Sequence, residues 1–515
     1  MIQLRAKRIL RSLLLGLVCF LLISSAVKSQ DKPVLTVAVE PVFPPFEFKA
    51  SNGDFQGFDV DLIRAVGEAG GFGVKFQSIP FDGIIPALQA GTADAAVAAM
   101  TITEARSQAV AFSRPYFKAG LAIAVRDGTT GVTKLDDLKG KAIAVQIGTT
   151  GAKAASAVPG AKVRTFDAAV LALQELKNGN VDAVVNDSPV TLYAIKTGNL
   201  QGIKIVGQLL TEEFYGIPLP LNSPNLQRVN GGLTTILQNG TYAQIYQKWF
   251  NAQPPQLPES AFGTAQTAQK TPIGSLSVIL NALPTLLKGA LITLQLAAVS
   301  VFFGLIGGSL IGIARLSALA PVRWAARAYI DFFRGTPLLV QILMIYFGFP
   351  ALLQSAGLNF TFNQFAAAIV ALSCNSAAYI AEIVRGGIQS IEVGQSEAAQ
   401  SLGLDSVQAL RHVVLPQAFR RMLPPLGNTF ITLLKDTSLV TIIGYAELLR
   451  EGQLIIAENY RPFELYAVVA LVYLALTLLS SQGFSYLERA MNPVNRSSSR
   501  TQKRSLQSES PRAER

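Results

Sequence analysis

Long apolar stretches in the second half of the chain constrain its fold more than any other feature. Between Leu276 and Tyr486 we count five of them, at about 283–313, 326–350, 363–383, 425–445 and 464–486. Each is long enough for a helix across a hydrocarbon core, which needs about 20 residues. We therefore expect residues 276–490 to form an all-α membrane domain with five spans.

The basic residues between these stretches predict its orientation. Arginines lie in the loops after the first and third spans and, with Lys503, in the tail 491–515, whereas the loop between the second and third spans carries no charge. Positively charged loops remain in the cytoplasm. We expect both basic loops and the tail to be cytoplasmic, and the residues before the first span to be outside. Basic residues that flank the predicted spans account for much of the net charge of +11, so this charge does not indicate that the protein binds nucleic acid.

Residues 1–30 have the pattern of a secretory signal peptide. A basic start precedes an apolar core at Leu13–Ile23, and Ser24-Ser25-Ala26 offers small residues for cleavage. An uncleaved anchor helix is the alternative. In both cases the segment that follows is exported.

Residues 31–252 have the character of a soluble domain. Strand-like and helix-like segments alternate along it, which predicts an α/β domain with largely parallel strands and room for two lobes. The strand-like segments are Leu35–Val39, Lys75–Ile79, Ile143–Gln146 and Ala183–Val185, and the helix-like ones include Asp59–Glu68 and Ile84–Gln89. Residues 253–275 are rich in Pro, Ala, Gln and Ser without periodicity, and we interpret them as a linker.

Rare residue types exclude several functions. His412 is the single histidine, and the two cysteines, Cys19 and Cys374, lie in apolar surroundings. We therefore expect no metal centre, no disulfide framework and no cofactor. No G-x-x-x-x-G-K-[ST] loop occurs either, so the chain is not expected to hydrolyse ATP.

Five motifs in the soluble part carry a family resemblance. They are EPVFPPFEF (40–48), GFDVDL (57–62), FDGIIPALQAG (81–91), MTITEARSQAVAFSRPY (100–116) and GTYAQIYQKWF (240–250). As a set they resemble the polar amino acid-binding proteins of ABC importers, most of all the receptors for glutamine, histidine and basic amino acids. The resemblance implies a two-lobed periplasmic binding protein fold (type II) that closes on its ligand.

The resemblance also implies a ligand site. Arg106 would hold the α-carboxylate and Asp187 the α-ammonium, because a zwitterion needs one partner of each charge. Glu40 would face the polar end of the ligand side chain, favouring Lys, Arg, His or Gln over glutamate and aspartate. The remaining expected contacts are Phe43, Phe81, Ala99, Thr101, Gln146, Thr149, Thr150 and Asn186.

Each assignment has a simpler structural alternative. Arg106 could be a surface residue, and Asp187, which precedes Ser-Pro, could be a turn or cap residue. Phe43 and Phe81 could be core aromatics, and Glu40 could point to solvent. Where some relatives have hydroxyl residues or glycine this chain has Ala98 and Ala99, so we expect one side-chain hydrogen bond fewer.

The membrane part carries a second resemblance. The segments FRGTPLLVQ (333–341), NSAAYIAEIVRGGIQS (375–390), the loop 397–425 and LLKDTSLVTIIG (433–444) are similar to permeases of polar amino acid ABC importers (type I, MetI-like). The loop predicts a short helix, a break at Gly403, a second helix and a turn at Pro416. It resembles the EAA coupling loop, so Glu397, Ala398, Ala399, Gly403 and Pro416 would contact a separate ATPase. Helix capping is the alternative role for Glu397.

Together these resemblances predict a receptor–permease of the inner membrane that imports glutamine or basic amino acids. The partners implied are a dimer of ATPase subunits and a second permease domain, identical or not. A ligand-gated channel would insert its helices within the binding domain and carry a filter sequence, and neither pattern is present. An enzyme on the same scaffold would need a second acid beside Glu40.

Overall fold

The computed structural model describes residues 32–197, 200–261, 275–358 and 360–491. The predicted signal peptide, residues 262–274 of the predicted linker and the tail after residue 491 lie outside the described residues. We refer to residues 32–250 as the N-terminal region and to residues 275–491 as the helical region.

The N-terminal region folds into two lobes around separate sheets. Lobe A (residues 32–119 and 213–250) contains a three-stranded parallel sheet, in which the strand Val34–Val39 lies between Gly73–Ser78 and Ala95–Ala96. Lobe B (residues 121–206) contains a five-stranded mixed sheet. The strands predicted from the sequence are present, and four of the six pairings in these two sheets are parallel, as expected.

The strands of the N-terminal region are β1 Val34–Val39, β2 Val42–Phe43, β3 Glu47–Lys49, β4 Phe55–Gln56, β5 Gly73–Ser78, β6 Ala95–Ala96, β7 Ala111–Phe112, β8 Phe117–Ala119, β9 Leu121–Arg126, β10 Ala142–Gln146, β11 Lys162–Phe166, β12 Ala183–Asp187, β13 Ile203–Val206, β14 Glu213–Tyr215 and β15 Pro218–Leu219. Its helices are α1 Phe58–Gly70, α2 Phe81–Gln89, α3 Glu104–Ser107, α4 Thr150–Ser156, α5 Ala169–Lys177, α6 Ser188–Lys196, α7 Leu226–Gln238 and α8 Thr241–Phe250.

Two antiparallel strands connect the lobes. The chain leaves lobe A through β8 and returns through β14, and these strands pair with each other. A pair of crossing strands is the usual hinge of a two-lobed domain, because a few backbone torsions there change the angle between the lobes. Residues at the lobe faces beside this hinge are therefore placed to close on a ligand.

The helical region is built from one central pair of helices with others around it. Its helices are α9 Ser275–Ala314, α10 Ala320–Gly335, α11 Leu338–Leu343, α12 Phe349–Ser355, α13 Gln364–Gln389, α14 Val393–Ser401, α15 Ser406–Ala409, α16 Leu415–Asp436, α17 Leu448–Asn459 and α18 Pro462–Met491. Short π segments at Met344–Gly348 and Leu410–Val414 and a 3₁₀ segment at Thr437–Ile443 join some of them.

Glycines bring α9 and α13 into close contact. Gly304, Gly308 and Gly312 recur every fourth residue along α9, and a Cβ at any of them would lie within 3 Å of an atom of α13. A Cβ at Gly308, for example, would lie 2.7 Å from Cβ of Ile380. Small residues at this spacing let membrane helices pack backbone against backbone, where van der Waals contact rather than water exclusion stabilises the pair.

Four described helices have the length and hydropathy of membrane spans, where the sequence predicted five. They are Leu276–Ala314, Leu338–Ser355, Gln364–Gln389 and Pro462–Met491. The predicted start of the second span at 326 is wrong, because α10 ends at Gly335 and Thr336 is extended before Pro337. A residue before proline is disfavoured in the α conformation, so the helix ends there. The predicted span at 425–445 falls on α16 and the following 3₁₀ segment.

The predicted coupling loop differs from expectation at Pro416. The break at Gly403 is confirmed: α14 ends two residues earlier, and Gly403 has a φ of +88°. At Pro416, however, the chain remains helical from α15 through the π segment into α16. Pro416 lies two residues after the π segment Leu410–Val414, where i→i+5 bonding replaces the regular α-helical bonds, so the missing N–H of the proline leaves no regular bond unmade. The predicted turn at this proline is wrong.

Candidate functional site

Arg106 lies at the junction of the two lobes and is buried, with 3% of its surface exposed. It belongs to α3, which Thr103 caps by accepting a hydrogen bond from the Arg106 backbone N–H at 3.2 Å. Its Nη1 donates to the carbonyl of Thr101 at 2.7 Å, and its Nη2 donates across the cleft to the carbonyl of Gly148 at 2.9 Å. Among the described residues no carboxylate forms an ion pair with it. The surface alternative is therefore wrong.

Asp187 ends β12 and occupies the N-cap position of α6. Its side chain does not cap that helix; its Oδ2 instead accepts a hydrogen bond from the Tyr215 hydroxyl at 2.8 Å. Burial, together with the nearby carboxylate of Glu213, raises the pKa of Asp187 to about 7, against the lowering effects of the Tyr215 hydrogen bond and of Arg106. A cation beside Asp187 would restore its negative charge, so the residue is suited to an ammonium partner.

Glu40 and Gln146 meet across the cleft. Gln146 Nε2 donates to both carboxylate oxygens of Glu40, at 2.8 and 2.9 Å. Glu40 is 3% exposed, so the alternative that it points to solvent is wrong. Burial raises its pKa to about 8, against the lowering effect of the Gln146 hydrogen bond. Gln146 Oε1 has no hydrogen-bond partner among the described residues, which leaves one acceptor for a ligand.

The predicted threonines converge on a residue that the sequence analysis missed. Thr101 of lobe A and Thr150 of lobe B both donate to Glu213 Oε2, at 2.6 and 3.0 Å. Glu213 begins the hinge strand β14. Thr149 instead caps α4, accepting from the Ala152 backbone N–H at 3.1 Å. Glu213 and Tyr215 lie far from the quoted motifs in sequence, and no spacing rule pointed to them.

The other predicted contacts divide into two groups. Phe81 faces the site, since its ring centroid lies 5.2 Å from Arg106 Cζ. Phe43 and Phe81 both belong to core clusters of lobe A, as the core alternative for these aromatic residues proposed. The side-chain amide of Asn186 donates to the Thr191 hydroxyl at 3.2 Å. This hydrogen bond lies within lobe B and does not bring Asn186 close to the other predicted site residues.

A buried carboxylate supports Ala99 from behind the site. Ala99 has a φ of +45°, and its N–H donates to Asp59 Oδ2 at 2.9 Å. Tyr116 donates to the same oxygen at 2.7 Å. Burial raises the pKa of Asp59 to about 6 and that of the neighbouring Glu47 well above its ordinary value. Asp59 belongs to the GFDVDL motif, which could have pointed to it.

The helical region touches the N-terminal region at the rim of this cleft. A cavity of about 450 Å³ beside Arg106 is lined by Thr149 and Thr150 on one side. On the other side it is lined by Ala457 and Glu458 of α17. The cleft therefore opens toward the helical region.

The predicted coupling residues lie on the surface of the helical region. Glu397, Ala398, Gly403 and Pro416 are exposed, whereas Ala399 is buried against the loop. Glu392, not Glu397, occupies the N-cap of α14, so the capping alternative for Glu397 is wrong. Apolar Leu402 next to Gly403 is 86% exposed.

Two family descriptions match the chain, one for each region. Residues 35–252 match the family described as bacterial extracellular solute-binding proteins, family 3. Residues 304–493 match the family described as binding-protein-dependent transport system inner membrane component. The two matches follow each other in one chain.

Individual proteins are similar to each region. The glutamine transport system permease protein GlnP of Escherichia coli (strain K12) is 44% identical over 215 residues, which are 42% of this chain and 96% of that protein. The arginine transport system permease protein ArtQ of Bacillus subtilis (strain 168) is 40% identical over 203 residues, which are 39% of this chain and 90% of that protein. The solved structure of an ancestral arginine-binding protein bound to arginine is 46% identical. It covers 43% of this chain and 100% of its own, with a TM-score of 0.42.

Proposed function

The chain belongs to the binding-protein-dependent importers of amino acids as a binding protein fused to a permease, and from this premise we propose that it imports glutamine or the basic amino acids. The domains that would carry this function are the predicted exported domain 31–252 and the predicted membrane domain 276–490. Permeases similar to this one are named for glutamine and for arginine transport.

The buried, unpaired cation at Arg106 is the observation that carries the proposal. Its guanidinium is held by two carbonyl groups, which satisfy donors but leave its charge uncompensated. Asp187 is close enough for Arg106 to lower its pKa. A free amino acid supplies a carboxylate for the first residue and an ammonium for the second, so one ligand would neutralise both.

Glu40 and Gln146 support the choice of side chain. A buried carboxylate at the end of the cleft attracts a cationic ligand tip, or accepts from an amide N–H of glutamine. A protonated Glu40, with its pKa near 8, would donate to the amide oxygen of glutamine. A cationic ligand tip would favour the ionised form of Glu40, whereas a ligand carboxylate would be repelled by that form and would require Glu40 to stay protonated, so glutamate and aspartate are disfavoured relative to cationic ligands.

Two features support a membrane topology with the N-terminal region outside and the coupling loop inside. The first turn of α13 lies near the N-terminal region, because Gln364 and Thr165 both approach Gly444. The coupling loop begins after the opposite end of α13, whose 26 residues span about 39 Å, close to the thickness of a bilayer. We propose that α16 with its 3₁₀ extension forms the fifth span.

A separate ATPase dimer would supply the energy. The exposed coupling loop, with Glu397, Gly403 and Leu402 on its surface, would dock into the ATPase and transmit its closure to the membrane helices. One permease domain would form half of the pathway, so we propose a pair of such domains, identical or not.

Calorimetric titration of the purified full chain with each of the twenty amino acids tests this function. Binding of glutamine, arginine, lysine or histidine, with at least about tenfold weaker binding of glutamate, is the expected result. Tight glutamate binding would contradict the role of Glu40, and no binding of any amino acid would contradict the proposed function itself.

A further inference from the structure

Two acidic residues, Glu47 and Asp59, lie next to each other inside lobe A, behind the ligand cleft. Both are fully buried, with 0% of their surface exposed. Glu47 begins β3, and Asp59 is the second residue of α1. Two acids away from water need a cation or a shared proton between them, because two buried negative charges repel each other.

Gly57 brings the two acids together. It precedes α1 with a φ of +137°, and a Cβ at this position would lie 1.9 Å from the Phe46 carbonyl oxygen and 2.8 Å from Cα of Glu47. A residue without a Cβ therefore permits this close approach of the chain to β3. The Asp59 backbone N–H donates to the same Phe46 carbonyl at 2.9 Å, which holds the first turn of α1 beside Glu47.

One oxygen of the pair has two hydrogen-bond donors, and the other three have none. Asp59 Oδ2 accepts from the Ala99 N–H at 2.9 Å and from the Tyr116 hydroxyl at 2.7 Å. Asp59 Oδ1 and both carboxylate oxygens of Glu47 are buried without a hydrogen-bond partner among the described residues. Ionised carboxylates only accept hydrogen bonds, so two ionised acids here would not satisfy each other. One proton on Glu47 would turn an unpaired acceptor into a donor for Asp59.

The surroundings of the pair favour a proton on Glu47 and an ionised Asp59. Burial, together with the nearby acids Asp59 and Glu40, raises the pKa of Glu47 well above its ordinary value. Burial raises the pKa of Asp59 only to about 6, because hydrogen bonds from Tyr116 and Ala99 stabilise its charged form. Near neutral pH, Asp59 is therefore the anion of the pair.

Asp59 also holds a segment that forms one wall of the ligand cleft. Ala99 has a φ of +45°, a conformation that costs free energy for a residue with a Cβ, and the hydrogen bond to Asp59 offsets this cost. Two residues later, the Thr101 carbonyl accepts from Arg106 Nη1 at 2.7 Å, and the Thr101 hydroxyl donates to Glu213 at 2.6 Å. The placement of residues 99–101 therefore affects where Arg106 is held.

We propose that Glu47 carries a proton that it donates to Asp59, and that this carboxyl–carboxylate pair positions the amino acid site. With this donor in place, Asp59 keeps its charge and holds the Ala99 N–H and the Tyr116 hydroxyl at one oxygen. Both acids are positioning residues, because they act through residues 99–101. The positioning role rests on the proposed function, whereas the shared proton does not depend on it.

Infrared difference spectroscopy of the full chain tests the shared proton without any ligand. The protein is kept in dodecyl maltoside, which has no ester carbonyl groups, at a pH well above the ordinary pKa values of carboxyl groups. A protonated carboxyl group has a C=O stretching band above the amide I region. We expect Glu47→Gln to lose such a band, and Glu68→Gln, the matched control at an exposed glutamate of α1, to keep it. A band region that is the same in Glu47→Gln and in the unmodified protein would overturn the inference.

Calorimetric titration of the same proteins with L-arginine and L-glutamine tests the positioning role. Glu47→Gln supplies an amide N–H donor of similar size in place of the carboxyl O–H, so binding should weaken by no more than about threefold. Glu47→Leu keeps a similar volume but leaves Asp59 Oδ1 without a donor, so binding should weaken by at least about tenfold. Equal affinities in these two variants would overturn the positioning role.

The two experiments separate failure of this inference from failure of the proposed function. The infrared comparison decides on the shared proton even where Glu47→Leu does not fold, which near-UV circular dichroism would reveal. An unmodified chain that shows the Glu47 band but binds neither amino acid would contradict the proposed function and the positioning role, and it would leave the shared proton standing.

Discussion

Two buried arginines distinguish the ligand cleft from the contact between α17 and lobe B. Arg106 in the cleft donates to carbonyl groups of both lobes and has no carboxylate partner among the described residues. Arg450 of α17 forms an ion pair with Asp167 of lobe B in addition to its bonds to Thr165. The protein neutralises the second cation itself, whereas under the proposed function a ligand carboxylate would neutralise the first. The presence of a carboxylate partner, more than burial, therefore distinguishes Arg450 from Arg106, the proposed ligand-binding residue.

The largest effect is expected from removing each arginine in turn. Arg106→Ala should weaken amino acid binding by at least about 100-fold, because the ligand carboxylate would be buried without a partner. Arg450→Ala should weaken it by no more than about tenfold, since only the contact between α17 and lobe B is lost. Calorimetry on both full-length variants measures the two losses. Equal losses would break the distinction between the two sites.

The carboxylates provide the next test. Asp187→Asn should weaken binding by about 30-fold, because the ligand ammonium loses its counter-charge while the shape of the site is kept. The same exchange at Asp167 should change affinity much less and should mainly reduce uptake in proteoliposomes that contain the ATPase. If Asp167→Asn weakened amino acid binding as strongly as Asp187→Asn, Asp167 would belong to the ligand site.

Glu40→Gln should change ligand ranking more than affinity. Removing the carboxylate is expected to lower the ratio of arginine to glutamine affinity by about tenfold, because only the cationic tip depends on charge at this end of the cleft. Glu212→Gln, an exposed exchange at the Lys118 ion pair, serves as the control. Competition binding with labelled glutamine measures the ratio, and an unchanged ratio would remove Glu40 from specificity.

The smallest effect is expected from pH. Asp187 has a raised pKa of about 7, and an ammonium ligand requires its ionised form. Below pH 7 the ligand must therefore displace a proton, so affinity falls as pH falls. Between pH 8 and 6.5 we expect glutamine binding to weaken about fourfold. Asp187→Asn should remove this loss of affinity at low pH and leave only the dependence of Glu40, whose pKa is about 8; a loss of affinity at low pH that persists in that variant would assign it to another group.

The sequence predicted most of the architecture because its signals are local. The alternation of strands and helices, the break at Gly403 and the apolar stretch of α13 all follow from short-range patterns. The second span was predicted to start too early, since apolar residues continue across the Gly335–Pro337 break. Pro416 was misread because the π segment before it could not be predicted, and a proline there is compatible with a helix.

The site was only partly predictable, for a physical reason. Arg106 lies in a quoted motif and Asp187 directly precedes Ser-Pro, but Glu213 acquires its hydrogen bonds only when the hinge brings threonines from both lobes to one oxygen. Arg450 resembles an ordinary loop cation in the sequence, and its partner Asp167 is 283 residues away. Contacts between distant segments depend on the docked arrangement, which no local pattern encodes.

The volume of the cavity beside Arg106 affects how the transfer of an amino acid from the cleft to the helical region would depend on its concentration outside the protein. A single molecule confined to about 450 Å³ is at a concentration of about 4 M. Under the proposed function, an amino acid that leaves Arg106 while α17 lines the cavity would therefore meet the helical region at a concentration far above that outside the protein. A low amino acid concentration outside would limit how often the cleft is occupied. It would not limit how readily a bound amino acid is transferred to the helical region.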